Sequence, residues 1–177
     1  MEVFWEELTS GLPDTRQLAR VMIRLLAATL LGAIIGLERE HAGKPAGLRT
    51  HILVTLGSTA FVVACASVGM LSADVSRVIQ GVATGIGFIG AGAILKLTDA
   101  RDVQGLTTAA GIWMMAAIGV AVGLGSLWVA GLSTVLTLLI LASVGALEAR
   151  MGKGRATPAE DNHPQAEARH DRDRGAT

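Results

Sequence analysis

An all-α membrane protein, a bundle of about five spanning helices, is the fold class this sequence predicts, and three observations predict it. Hydrophobic residues make up 51% of the 177 residues and charged ones 17%, an apolar excess beyond that of an ordinary soluble domain. The apolar residues come in long runs, with nothing ionisable between Arg77 and Lys96 or from Val103 to Leu147. Aromatic residues are only 3%, Tyr is absent and there are 22 glycines. Such a composition suits helices packed through small residues better than a ring-filled soluble core.

The predicted centre is Gln80 to Lys96, QGVATGIGFIGAGAILK. Gly81, Gly85 and Gly92 share one helical face, which Thr84, Gly87, Gly90 and Ala91 widen. In water each glycine would weaken a helix by about 1 kcal/mol relative to alanine. In lipid the backbone must bond internally, so the helix is enforced and its bare face can admit another backbone. The expectation is a central helix on which the others pack.

In chain order, residues 1–17 form an N-terminal tail or interfacial helix. Phe4, Leu8 and Leu12 recur at helical spacing beside Trp5, and Glu2, Glu6 and Glu7 exclude a signal peptide. The first span covers Leu18 to Leu37, with Arg20 and Arg24 snorkelling to one interface and Ala28, Gly32 and Gly36 as a small-residue stripe. Glu38-Arg39-Glu40-His41 closes it. The second span, Ile52 to Ala73, begins with a polar stripe of His51, Thr55, Ser58 and Thr59. A turn at Asp74 to Arg77 leads into the glycine helix. Glycines 119, 123 and 125 with Ser126 divide the next apolar run into Leu106 to Gly123 and Leu127 to Leu147. Residues 149–177 are charged and poor in apolar side chains, so they are predicted to be a disordered tail. The spanning domain is thus 18–148.

Orientation follows from the basic residues near span ends. Arg39, Lys44, Arg49, Lys96, Arg101, Arg150, Lys153 and Arg155 fall on one side, against Arg16, Arg20, Arg24 and Arg77 on the other. This predicts an N-terminus outside and a cytoplasmic C-terminus.

Few chemical motifs appear. Gly85-Ile-Gly-Phe-Ile-Gly90 matches a dinucleotide fingerprint in letters, but inside an uncharged run it reads as helix packing. A P-loop, a G-x-S-x-G elbow and an H-E-x-x-H helix are all missing, and no nucleophile pairs with a base, so no enzyme is predicted. The lone Cys65 gives neither disulfide nor zinc site, and zero net charge excludes a nucleic-acid partner. The informative cluster is a rim of Glu38, Arg39, Glu40, Arg49 and His51, joined by Lys96, Asp99, Arg101 and Asp102. Two readings stand: an ion-paired anchor at the interface, or a site where Glu38, Glu40 and Asp102 are the weak candidates for Mg²⁺. Thr107 and Thr108 open the fourth span as a cap or as an ion lining, and Trp113 lies about 10 Å along it.

Gly36-Leu-Glu-Arg-Glu40, Gly47-Leu-Arg-Thr-His51, the Gly81 to Gly92 run, and Gly105-Leu-Thr-Thr-Ala-Ala110 through Trp113 to Gly119 together resemble the MgtC/SapB family over about residues 20–147. The resemblance implies a bacterial inner-membrane protein with about five spans, tied to growth at low magnesium and without enzymatic activity. Several members carry an ACT-like cytoplasmic domain after the last span, where this chain has a charged tail. The virulence branch tends to have Asn and Cys in the fourth-span motif, where this chain has Thr107 and Met114, so no virulence role is carried over.

Two functions follow as expectations. The first is a non-enzymatic regulator or interaction protein that packs its glycine faces (Gly32, Gly36, Gly81, Gly85, Gly87, Gly90, Gly92) on a second copy or on another membrane complex. The second is an oligomeric ion or small-solute channel or transporter, with the stripe facing its path. No cofactor is expected, Mg²⁺ remaining the open candidate.

Overall fold

The computed structural model describes residues 1–5, 14–96 and 103–152. Its contacts group Met1–Leu141 and Ala142–Thr177 as two compact units. The first unit carries the packing described below; in the second, residues 142–152 are helical. Five long helices follow in order: α1 Thr15–His41, α2 Leu48–Ser67, α3 Ser72–Gly92, α4 Leu106–Gly123 and α5 Leu127–Gly152. Between α3 and α4, β1 (Leu95–Lys96) and β2 (Val103–Gln104) form an antiparallel ladder, Leu95 opposite Gln104. Residues 2–5 are helical too, with the Phe4 and Trp5 rings edge to face at 6.0 Å. Residues 6–13 of the expected N-terminal segment, the loop with Asp99, Arg101 and Asp102, and residues 153–177 of the expected tail lie outside the described residues, while Thr15 to Gln17 already belong to α1.

Among the described residues, α1, α2 and α4 are long and apolar enough to cross a membrane, and α5 is apolar over the shorter stretch Leu127–Ser143. α4 ends and α5 begins where the glycine break predicts. Leu124 and Gly125, the latter at φ +86°, make the turn between them. The expected turn at Asp74 to Arg77 is corrected. The chain reverses earlier, at Gly69 (φ +68°) and the extended Leu71, so α2 ends at Ser67 and not at Ala73, and Asp74 to Arg77 lie in the first turns of α3. Asp74 there complements the positive end of the helix dipole. Gly105, at φ +95°, is held against the Ala93 carbonyl so closely that no side chain could fit.

The expected centre is also corrected. The helix on which others pack is α2, which lies along both α1 and α4, while α3 packs on α4 and only lightly on α2. Ile86 and Gly90 are the buried residues of α3. The approach of α1 to α2 runs over Gly32 and Gly36: a Cβ on Gly32 would meet Ile52 Cα at 2.9 Å, and one on Gly36 would meet Leu48 Cα at 2.8 Å. From the other side, α4 presents Gly119 and Gly123. A Cβ on Gly119 would collide with the Thr55 carbonyl, and one on Gly123 would lie 2.6 Å from Val62 Cβ. Gly32-x-x-x-Gly36 and Gly119-x-x-x-Gly123 both have the spacing that lets spanning helices meet backbone to backbone. Around these contacts Ala28, Ile35, Met115, Ile118, Val122 and Ala130 form one apolar cluster, and Ala46, Ile86, Ile112 and Ala116 a second.

Gly119→Ala should therefore be destabilising by about 1–3 kcal/mol, because helix backbone cannot yield as a flexible side chain can. Gly85→Ala, with open space at its Cβ position, should be neutral or stabilising for the single chain. Thermal unfolding of the two variants in detergent checks the contrast.

Candidate functional site

The rim is assembled where α1 ends and α2 begins. Its strongest element is local: Arg39 Nε and NH2 donate to the two carboxylate oxygens of Glu38 at 2.5 and 2.6 Å. Arg39 is 4% exposed, so a charge-assisted bidentate pair neutralises a guanidinium taken out of solvent. Glu40 points the other way. Its Oε2 accepts the Leu48 N–H at 3.0 Å and lies over Gly47, the residue preceding α2. A carboxylate there satisfies an otherwise unpaired amide and favours the positive end of the helix dipole. Arg49 and Lys44 are exposed. His51, one turn into α2, is buried, with Nδ1 at 2.9 Å from the Gly47 carbonyl.

From His51 the polar stripe continues down α2, facing into the bundle. Thr55 and Thr59 are fully buried and Ser58 nearly so. Thr55 Oγ1 donates back to the His51 carbonyl at 2.8 Å. Thr59 Oγ1 donates across to the Gly119 carbonyl of α4, also at 2.8 Å. That bond forms because Gly119 lets its backbone come within reach of α2. On α4, Thr108 is buried and Thr107 exposed. Two hydroxyls not singled out from the sequence, Thr134 and Thr137 on α5, are buried and donate to the carbonyls of Ala130 and Ser133 one turn back. Such back-bonding lets a hydroxyl enter an apolar helix without a partner on another segment.

Arg24, which the sequence places near one interface, donates from NH1 to the Gly123 carbonyl at 2.8 Å, at the end of α4. NH2 would lie 2.7 Å from a Cβ on Gly125, where the φ of +86° already favours glycine. A cation thus binds the carbonyl end of α4 and ties the first half of α1 to it. The sequence signal was an arginine on the same face of α1 as Ala28, Gly32 and Gly36, but its acceptor lies 99 positions away.

The glycine helix presents a different surface. Gly90 would place a Cβ 3.7 Å from Ala109, in ordinary contact, whereas Gly81, Gly85, Gly87 and Gly92 have no neighbour within 4 Å. Gly81 and Gly85, with Gly57 of α2, line an apolar groove of about 750 Å³ between α2 and α3, flanked by Leu53, Phe61, Val78 and Ile89. Trp113 is half-exposed and borders a smaller cleft between α3 and α4, of about 190 Å³.

As for a metal ion, both Glu38 oxygens face Arg39 and one Glu40 oxygen faces a backbone amide. No group of three His, Cys, Asp or Glu side chains comes together among the described residues. Asp102, the third candidate, lies outside them.

Comparison with known proteins places this arrangement. The model of the MgtC family matches residues 25–150. Protein SrpB of Synechococcus elongatus is 46% identical over 138 residues, covering 71% of this chain and 75% of that protein. YhiD of Escherichia coli K12, described as a putative magnesium transporter, is 42% identical over 130 residues, 70% of this chain and 60% of YhiD. Protein MgtC of Salmonella typhimurium is 43% identical over 104 residues, which are 59% of this chain and 43% of MgtC. The chain thus matches less than two thirds of YhiD and of MgtC. No solved structure matches it.

Two substitutions probe the polar links. Thr59→Val keeps the shape and removes the bond to α4, and should lower stability by about 0.5–1.5 kcal/mol. Arg24→Met should lose about 1.5–3 kcal/mol, since a charged donor leaves a helix-terminal carbonyl bare. Chemical or thermal unfolding in detergent measures both, and the order Arg24→Met above Thr59→Val is the expected result.

Proposed function

The chain belongs to the MgtC family, and from that premise we propose that it is a multi-pass protein of the bacterial inner membrane serving magnesium homeostasis as a regulator or interaction partner. In this reading the five long helices are five spans, with the N-terminus outside and the C-terminus in the cytoplasm, and the protein performs no catalysis. The connection to magnesium draws on the family and on the description of its relative YhiD.

One observation carries the preference for regulation over conduction. Two hydroxyls that could have lined a path are used inside the bundle: Thr55 and Thr59 are buried, and each donates to a backbone carbonyl at 2.8 Å, Thr55 on its own helix and Thr59 across to α4. Gly119 and Gly123 bring α4 onto the same face of α2, so the stripe holds helices together. The charged rim supports the same reading, because Glu38 and Arg39 satisfy each other and Glu40 serves the start of α2. What stays uncovered is the groove on Gly57, Gly81 and Gly85, a surface on which a partner helix could approach closely. Oligomeric conduction of ions or small solutes is the competing reading, and the description of YhiD favours it.

Liposomes holding a Mg²⁺-sensitive dye separate the two. The purified protein should give no flux above that of empty liposomes, and should recover a membrane-protein partner or its own oligomer from detergent extracts in a manner lost in Gly85→Leu. A protein-dependent Mg²⁺ flux abolished by Glu38→Gln would instead establish conduction.

A further inference from the structure

The groove between α2 and α3 has a polar group on its wall that hydrocarbon cannot satisfy. Ser58 of α2 lines it and is 4% exposed. Thr55, Thr134 and Thr137 turn their hydroxyls back to a carbonyl of their own helix. The Ser58 hydroxyl makes no hydrogen bond among the described residues. Unlike His51 Nε2, its oxygen is not sealed off, and the opening beside it is the groove. A hydroxyl facing lipid tails has no acceptor, which is unfavourable. A helix laid in the groove brings main-chain carbonyls. It can also come close, because a Cβ on Gly57, Gly81 or Gly85 would have no neighbour within 4 Å. The chain already makes such a bond inside the bundle, from Thr59 to the carbonyl of Gly119 on a glycine-faced helix.

The charges at one end of the groove select the helix. Asp74, Arg77, Val78, Gly81 and Gly85 stand at i, i+3, i+4, i+7 and i+11, one row of α3, and the last three line the groove. Arg77 is exposed and Asp74 half-exposed. Their spacing suits an ion pair, yet they form none, and neither side chain has another partner among the described residues. An anionic lipid headgroup at this end would meet the Asp74 carboxylate as well as the Arg77 guanidinium. Two copies of the chain inserted the same way round fit better. Their α3 helices run parallel, and about a two-fold axis along the membrane normal the row faces itself. Asp74 of each copy then meets Arg77 of the other, and bare backbone meets bare backbone at the glycines.

We propose that the groove is filled by α3 of a second copy of this chain, in a parallel two-fold dimer whose α3 helices cross at Gly81 and Gly85. Ser58 of each copy donates to a main-chain carbonyl of the other copy's α3, and Asp74 pairs with the other copy's Arg77. This assignment rests on the reading of the groove as an interaction surface and names its occupant.

Disulfide trapping of the full chain in native membrane vesicles, with Cys65→Ser as background, tests it. Thr84→Cys, at an exposed position of α3 between Gly81 and Gly85, should give a covalent dimer on oxidation. Leu30→Cys, exposed on α1, should not. Arg77→Asp should raise the dimer dissociation constant by about tenfold, through like charges brought face to face. Combining it with Asp74→Arg should restore trapping. Ser58→Ala should weaken the dimer by about threefold to tenfold and leave the Tm of the single chain unchanged, since no bond within the chain is lost. Thr84→Cys that traps no better than Leu30→Cys overturns the proposal, as does a charge swap that fails to rescue Arg77→Asp. Native mass spectrometry showing a single chain with a retained phospholipid would overturn it in favour of a lipid, and Thr84→Cys joined to a different protein in favour of another partner. Failure of the regulator reading shows separately, as Mg²⁺ flux, whichever way the trapping falls.

Discussion

Everything in this bundle depends on backbone meeting backbone along α2. In lipid there is no solvent-driven force pressing apolar helices together, so association rests on how closely main chains can approach and on the hydrogen bonds that approach allows. Gly32 and Gly36 bring α1 to one side of α2, and Gly119 and Gly123 bring α4 to another. The Thr59 bond to the Gly119 carbonyl depends on that approach, as does the burial of His51 and Thr55. A methyl group at Gly32, Gly36 or Gly119 would push against main chain, and one at Gly123 against the β-branched Val62 side chain.

The same constraint governs the charges. Each described ionised group drawn into the bundle is matched by a nearby backbone or side-chain group. Arg39 takes Glu38, Glu40 takes the first amide of α2, and Arg24 takes a carbonyl at the end of α4. These are links at the ends of helices, where unpaired main-chain groups gather. They tie the termini while the glycines tie the middles. This division leaves these polar residues with structural tasks and the glycine groove of α3 uncovered in the single chain.

Much of this architecture is legible in the sequence. The end of α4 and the start of α5 follow from the glycines and serine that interrupt an otherwise continuous apolar run, and Ala28, Gly32 and Gly36 mark a face of α1 that a neighbour approaches. The centre was not legible. Gly32-x-x-x-Gly36, Gly81-x-x-x-Gly85 and Gly119-x-x-x-Gly123 are alike in letters, and only the fold decides which are covered. The richest stripe, on α3, is the one left open. Arg24 could not be assigned its carbonyl for a related reason. A snorkelling arginine and an arginine capping a distant helix carry the same local pattern, and the acceptor is a backbone atom with no sequence signature.

The most direct test of α2 as the centre is amide hydrogen exchange on the purified chain in detergent, resolved along the sequence. Residues 48–67 should exchange most slowly, and the glycines of α3 faster than either α2 or α4. Protection strongest over 80–92, with α2 exchanging ahead of it, would return the glycine helix to the centre and contradict the packing described.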